Sequence, residues 1–450
     1  MASHETFHYS SLSELRQTAE SLGVHIPVSE DTSVLGTPLS VGAARFPNRL
    51  GIAPMEGADA LPDGSPSELT LRRYLRQAEG GAGIIWFEAI SVASEGRSSA
   101  HQLMLTDANL DAYKRMIHAV REAGMRQNGY APYLIMQANH SGRYSNPEGA
   151  PRPLIAYRHP YYEALRPATD ESIVTDEYLR SLPPVFEHAA LLAREAGFDA
   201  VDIKSCHGYL FAELTGAYLR VGEYGGSYEN RTRLLKQSIL AAKTYERADF
   251  AITSRLGIYD GYPYPYGFGV REGGDATPVM EEPIRLVREL HEELGLSFIG
   301  LTMGNPYVST HVTRPYDRGN YPPPEHPLEG IARMIDGIGQ IKRAVPGMTV
   351  LASAPTYLRQ YADAYTAGAI CEGLCDGMLF GRMAFAAPDF ANRMLREGGM
   401  DKSAVCITCG KCGELIRAGR PTGCVIRDGE VYLPHYREYL AAKAAKGDTK

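Results

Sequence analysis

Residues 199–214 read DAVDIKSCHGYLFAEL. Ala200, Val201 and Ile203 form a short β-rich apolar run, closely preceded by Gly197, a residue suited to ending a helix. Lys204, Cys206, His207 and Tyr209 then crowd together before an apolar helical pattern resumes. A strand-end turn of this kind can gather an amine, a thiol, an imidazole and a phenol around one ligand without burying them unsatisfied.

The same strand-then-helix unit recurs along the chain. Apolar β-rich runs stand at 49–54, 83–89, 133–138, 200–203, 250–256, 298–302, 349–353 and 377–381. Helical patterns lie between them, clearest at 185–196, 283–294 and 331–344. Strands alternating with helices imply a parallel sheet, and this number of strands predicts a closed (β/α)8 TIM barrel, an α/β fold. A doubly wound open sheet is the alternative, but no G-x-G-x-x-G opens a helix after a strand. Ser11 and Glu14 make a capping-box pattern before a short helix that Gly23 ends, so 1–35 read as an N-terminal extension. The barrel is assigned to 36–400, and 401–450 form a short C-terminal cysteine segment with a tail. The loops 257–280 and 304–328, rich in Tyr, Gly and Pro, follow the fifth and sixth strands. Loops this long are usually functional, and these read as a substrate lid, with surface decoration or a dimer contact as the alternative.

Composition narrows the function classes. The chain has 450 residues, 44% hydrophobic and 22% charged, as an ordinary soluble enzyme has. Its 46 Lys and Arg against 53 Asp and Glu leave a net charge of −7, which argues against a nucleic-acid partner. The first twenty residues carry no apolar signal core, and the longest apolar run, 81–87, is too short to cross a bilayer. The expectation is a cytoplasmic protein with no membrane partner.

In a barrel, Lys204 to Tyr209 leave the fourth strand at the C-terminal mouth. Lys204 and His207 can converge on one acceptor oxygen, and Tyr209 can supply or take a proton there. The competing reading makes Lys204 a rim charge and His207 a packing residue; three such groups on one turn favour chemistry.

Four of the seven cysteines, Cys406, Cys409, Cys412 and Cys424, have the spacing C-x2-C-x2-C-x11-C. In a long chain this reads as metal binding rather than disulfides. The spacing suits a [4Fe–4S] cluster, with zinc as the structural rival.

Several segments together carry a resemblance: NRLGIAPM (48–55), GGAGIIWFEAISVASEGR (80–97), QANHSGR (137–143), GFDAVDIKSCHGYL, EYGGSYENRTRLL, FAITSRL and DGMLFGRMAFAAPDF (376–390). In this order they resemble the old yellow enzyme family of FMN oxidoreductases, from about residue 35 to the C-terminal region. The resemblance implies that Ala53, Pro54, Met55 and Glu56 lie beside the flavin ring and that Ala89 touches its edge. It implies that Gln137 bonds the pyrimidine side, Arg255 sits near N1 and O2, and Gly381 and Arg382 hold the phosphate, with Ala354 offering a backbone N–H. A fixed guanidinium near N1 makes independent sense, because two-electron reduction puts negative charge on that ring. The family's anion-binding His pair becomes Lys204–His207 here, and Glu56 stands where a Thr or Cys is common.

The cysteine pattern is similar to that of the branch containing trimethylamine dehydrogenase and 2,4-dienoyl-CoA reductase, where a [4Fe–4S] cluster exchanges single electrons with FMN. Those relatives continue into nucleotide-binding domains, whereas this chain stops at Lys450. Electrons are therefore expected from NAD(P)H directly, or through the cluster from a separate protein: a ferredoxin, a flavodoxin or a reductase. The leading expectation is a reductase of an activated C=C bond in a small-molecule substrate, with Lys204, His207 and Tyr209 catalytic. The alternatives are oxidative demethylation or dehydrogenation of a small amine, and an electron-transfer subunit of a larger complex. A homo-oligomer is left open.

Overall fold

A computed structural model describes residues 6–319 and 321–445. Its centre is one parallel sheet of nine segments. In chain order these are β1 (Leu50–Ile52), β2 (Ile84–Ser91), β3 (Tyr133–Asn139), β4 (Ala200–Ile203), a β5 broken into Ala251–Thr253 and Arg255–Gly257, β6 (Phe298–Thr302), β7 (Thr349–Ser353) and β8 (Gly377–Phe380). The first half of β5 pairs with β4 and the second half with β6, while β8 pairs with β1. The ring is therefore nearly closed, and the expected eight staves are present with the fifth interrupted at Ser254. The interruption has a local cause: the Asp202 carboxylate takes the Arg255 N–H at 2.6 Å, and the Ser254 hydroxyl bonds the Ile203 carbonyl at 2.7 Å. Side-chain bonds there replace ladder bonds.

Helices follow each stave: Glu68–Glu79, Leu110–Asn128, Asp176–Ala196, Tyr228–Ala242, Glu281–Glu292, Pro327–Ala344, Ala362–Cys371 and Phe390–Arg396. Gly197 ends the third of these in the left-handed region at φ 94°, where a side chain would be strained. The helix starts nine residues before the predicted 185, at Asp176, because the Thr175 hydroxyl caps it by accepting the Tyr178 N–H. Among the described residues no helix is long and apolar enough to cross a membrane.

Two apolar layers form. The outer one lies between strands and helices, and it takes in Tyr9, Leu15, Ile26 and Leu35, so the N-terminal extension is packed onto the barrel. The inner one fills the barrel with Ile84, Trp86, Ile135, Phe298, Leu351 and Leu379. A Cβ on Gly300 would meet the Trp86 indole at 2.9 Å, so β6 carries glycine where the ring lies. A hairpin, Leu39–Val41 with Ala44–Phe46, closes the bottom and packs Phe46 against Tyr133 and Phe298. Nothing in the sequence pattern had suggested it.

The upper loops are pinned by buried ion pairs. Arg143, after β3, donates to Glu213, after β4, at 2.5 Å, and both side chains are fully buried. Arg73 likewise bridges Asp59 and Glu88. Removing one partner of such a pair leaves an uncompensated charge in a low-dielectric site. Arg143→Met should therefore lower the unfolding free energy by about 3–5 kcal/mol, and a compensating Glu213→Leu in the same chain should restore most of it. Urea titration of the single and double variants checks this; equal stabilities for wild type and Arg143→Met would contradict it.

Candidate active site

The C-terminal ends of the strands open into one cavity. Its wall includes every catalytic and flavin-contact residue singled out in the sequence: Ala53, Pro54, Met55, Glu56, Ala89, Gln137, Lys204, His207, Tyr209, Arg255, Ala354, Gly381 and Arg382. They come from β1 to β5, β7 and β8, so only barrel closure brings them together.

The turn after β4 is conformationally unusual. His207 is left-handed at φ 66° and Gly208 follows at φ 68°. A non-glycine residue held there is strained, and such strain collects at functional sites. His207 is half-buried, but its Nε2 is buried and has no hydrogen-bond partner. Burial, reinforced by the Arg255 and Lys204 charges, lowers its pKa well below 6.5, so the ring is neutral. The Lys204 Nζ lies 3.6 Å from the centre of the Tyr209 ring, a cation–π contact rather than an ion pair. Desolvation pulls the Lys204 amine down to about 8, against the nearby Cys206 and Glu56. Cys206 is buried, and burial pushes its thiol up to about 11, so it is inert.

Tyr209 does not act alone. Its hydroxyl pairs with the Tyr307 hydroxyl at 2.7 Å, and Tyr307 stacks on Tyr144 with ring centres 4.1 Å apart. Asn305 holds the Tyr144 oxygen at 2.8 Å. Tyr307 belongs to the 303–326 loop, one of the two expected lids. That loop also sends Pro306, Thr313 and Arg314 to the cavity wall, whereas 258–280 sends nothing. The lid expectation is corrected for the first loop: its Tyr262 and Tyr266 pack with His159 and Tyr161 into an aromatic buttress instead.

Beneath the cavity, the Gln137 amide N–H donates to Asp202 at 2.6 Å, which leaves its carbonyl for the cavity. The buried Arg255 Nε has no partner. Glu56 accepts from the Ser98 hydroxyl at 2.5 Å. Ala354 is left-handed at φ 73°, and it starts the Pro355–Tyr361 turn.

The cysteine segment roofs the cavity. Cys412, Gly413, Ile416, Arg417 and Thr422 all line it, and no sequence signal had placed them there. The segment is anchored to the first barrel helix, where Arg72 and Arg76 clamp Asp428 at 2.8 and 2.6 Å. Cys406, Cys409, Cys412 and Cys424 all line a second, small cavity, which shares Arg382 and Cys412 with the first. Among the described residues no group of three or more His, Cys, Asp or Glu is placed to hold a single metal ion.

Residues 34–288 match the NADH:flavin oxidoreductase / NADH oxidase family, and the chain belongs to it. It is 31% identical to the NADPH dehydrogenase of Bacillus velezensis over 216 residues, 46% of this chain and 60% of that protein. It is 26% identical to the NADH oxidase of Thermoanaerobacter brockii over 380 residues, 82% of this chain and 52% of that protein. The chain thus spans a little over half the length of these relatives. Two solved structures share its fold: a 2-naphthoyl-CoA reductase complex (TM-score 0.69, 18% identity, 91% of this chain and 58% of that one) and the Rhizobium sp. 4-9 histamine dehydrogenase (TM-score 0.65, 19% identity, 88% and 52%). The old yellow enzyme homologue of Zymomonas mobilis gives a TM-score of 0.60 at 20% identity, over 87% of this chain and 98% of that one.

Burial raises the Glu56 carboxyl from 4.5 to about 7, with the Ser98 hydroxyl opposing the shift. The folded chain therefore holds a proton there that the unfolded chain has lost. The associated stability is complete below 4.5 and disappears as pH rises through about 7. Glu56→Gln cannot titrate, so its unfolding free energy should fall less than that of wild type between about pH 5 and about pH 8. Parallel pH–stability curves for the two proteins would contradict this assignment.

Proposed function

We propose that this member of the NADH:flavin oxidoreductase / NADH oxidase family binds FMN and reduces a carbon–carbon double bond conjugated to a carbonyl or carboxyl group. The observation that carries this reading is the His207 Nε2: buried and unpartnered, on the wall of the cavity that Lys204 and Tyr209 also line. A buried polar atom without a partner marks a place where a ligand atom completes the bonding.

The residues fit a flavin mononucleotide. The orphaned Arg255 Nε and the free Gln137 carbonyl suit the pyrimidine edge of its ring. Gly381, Arg382 and the Ala354 backbone stand after β7 and β8, where barrels commonly bind phosphate. When bound, FMN supplies hydride transfer chemistry. The chain's own part is to hold and polarise. Lys204 and neutral His207 direct an ammonium and a ring nitrogen at the substrate oxygen, favouring the enolate-like charge that builds on it. Tyr209 holds the proton for the adjacent carbon, and its bond to Tyr307 fixes the hydroxyl and connects it to a second proton source. Arg255 offsets the charge that collects at the pyrimidine edge.

The four cysteines hold a [4Fe–4S] cluster in this reading. Their C-x2-C-x2-C-x11-C spacing supports this reading, and all four line one small cavity. The cysteine and flavin cavities adjoin at Cys412 and Arg382, so single electrons need cross only a short distance. The electron source is NAD(P)H or a redox protein; the family and the curated relatives favour the nicotinamide.

Oxygen-free purification should give a coloured protein carrying about one FMN with about four irons and four sulfides per chain. A colourless or zinc-only product would overturn the cofactor assignment. His207→Ala should keep its flavin and lose roughly 10²–10³-fold in turnover of a cyclic enone, the usual effect of removing one such donor. If instead amines reduce the flavin anaerobically and enones fail to reoxidise it, the chemistry runs as amine oxidation.

A further inference from the structure

Resting on the reading of a flavin-dependent C=C reductase, we propose that Arg314 and Arg417 form a subsite for a second anionic group, a carboxylate on the substrate remote from the reacting double bond. Both guanidiniums converge on Gly413, in the first turn of the helix Lys411–Arg417. A Cβ built there would stand 3.0 Å from Arg314 Nη2 and 3.4 Å from Arg417 Nη1. The missing side chain is what lets two like charges approach one point.

Neither guanidinium has a carboxylate partner among the described residues. The charged neighbours of Arg314 are Arg382 and Arg417 themselves, with Cys412 and Tyr307 close by. Around the whole cavity Lys204, Arg255, Arg314, Arg382 and Arg417 face a single carboxylate, Glu56.

Cofactor contacts account for only part of this excess. Arg382 lines both cavities and stands at the phosphate end of the flavin site, so it serves the FMN phosphate and abuts the cysteines. Arg255 lies at the pyrimidine edge. Arg314 and Arg417 line the larger cavity and are absent from the cysteine cavity. Arg417 is exposed and Arg314 half-buried, so this part of the wall meets solvent, where the distal end of a substrate would emerge. Two guanidiniums around one opening match the planar, two-oxygen geometry of a carboxylate. The same charges repel an alkylammonium ion.

The test uses holoenzyme and a matched pair of enals, 4-carboxycinnamaldehyde and its methyl ester, with binding read from the flavin absorbance difference spectrum. Arg417→Gln, on the exposed rim, should weaken the carboxylate probe about tenfold, as loss of a charge-assisted bond does, and leave the ester within about twofold. Flavin and iron content should not change. Arg314→Gln should act the same way, and Gly413→Ala, which pushes the guanidiniums apart, should reproduce the selective loss. Equal weakening of both probes would overturn the subsite, and so would loss of flavin or iron without discrimination between them. Binding is read without turnover, so the two proposals fail separately. If neither enal reoxidises the reduced flavin while the Arg417-dependent preference persists, the reduction reading falls and the anion subsite stands.

Discussion

The buried Asp202 carboxylate at the end of β4 organises the floor of the cavity. It accepts the Trp86 indole N–H at 2.8 Å, the Gln137 amide at 2.6 Å and the Arg255 backbone N–H at 2.6 Å. One side chain thereby fixes four adjacent staves, β2 to β5, at the level where the cavity begins. Burial raises its pKa to about 6, and the three donors oppose that shift. Loss of the carboxylate would strand those donors in the core at about 1–3 kcal/mol each, so floor geometry and fold stability are not separable here.

Above that floor the site is built from loops that need one another. The Tyr209–Tyr307 bond joins the loops after β4 and β6, and Asn305 ties in the β3 loop through Tyr144. Asp317 reaches further: its carboxylate takes the Thr408 hydroxyl, the Phe7 backbone N–H and the Arg359 guanidinium. Thr408 and Arg359 both have positive φ, at 54° and 52°. Two strained residues, one between Cys406 and Cys409 and one in the turn after β7, thus depend on a single buried acid. Backbone conformations of this cost persist only where the surroundings over-determine them.

What could be read from the sequence was whatever repeats or whatever lies next in chain. Period and punctuation located the staves because a buried parallel strand is a short apolar run bounded by polar turns. The strand-four turn stood out because Lys204, His207 and Tyr209 are neighbours in the chain. Contacts made across the barrel left no such trace. Asp202 looked like part of a strand, and Tyr307 was one tyrosine among the many in two loops. Arg314, Gly413 and Arg417 meet only because the cysteine segment folds back over the mouth, a placement set by the Asp428 clamp far along the chain. The break in β5 was illegible for the same reason: it is caused by Asp202 and Ile203 on another strand. The 258–280 loop failed as a lid because aromatic content predicts burial against something, and here that something is the β3 loop.

The cavity's charge asymmetry bears on the chemistry it can support. An oxidase for amines must admit a cation, or a neutral amine beside fixed cations, and five cationic side chains oppose the first. A reductase must stabilise negative charge twice, on the pyrimidine edge and on the substrate oxygen. On the proposed reading, Arg255 answers the first demand and Lys204 with His207 the second, and all three line one cavity. Glu56 works against both when ionised, yet burial raises its pKa to about 7, so near neutrality much of it carries no charge. The same desolvation that neutralises the one carboxylate strengthens the remaining cations, because field lines in a low-dielectric cavity are not screened by water. The carboxylate therefore acts as a conditional opponent, present at high pH and absent at low, in a site otherwise committed to binding anions.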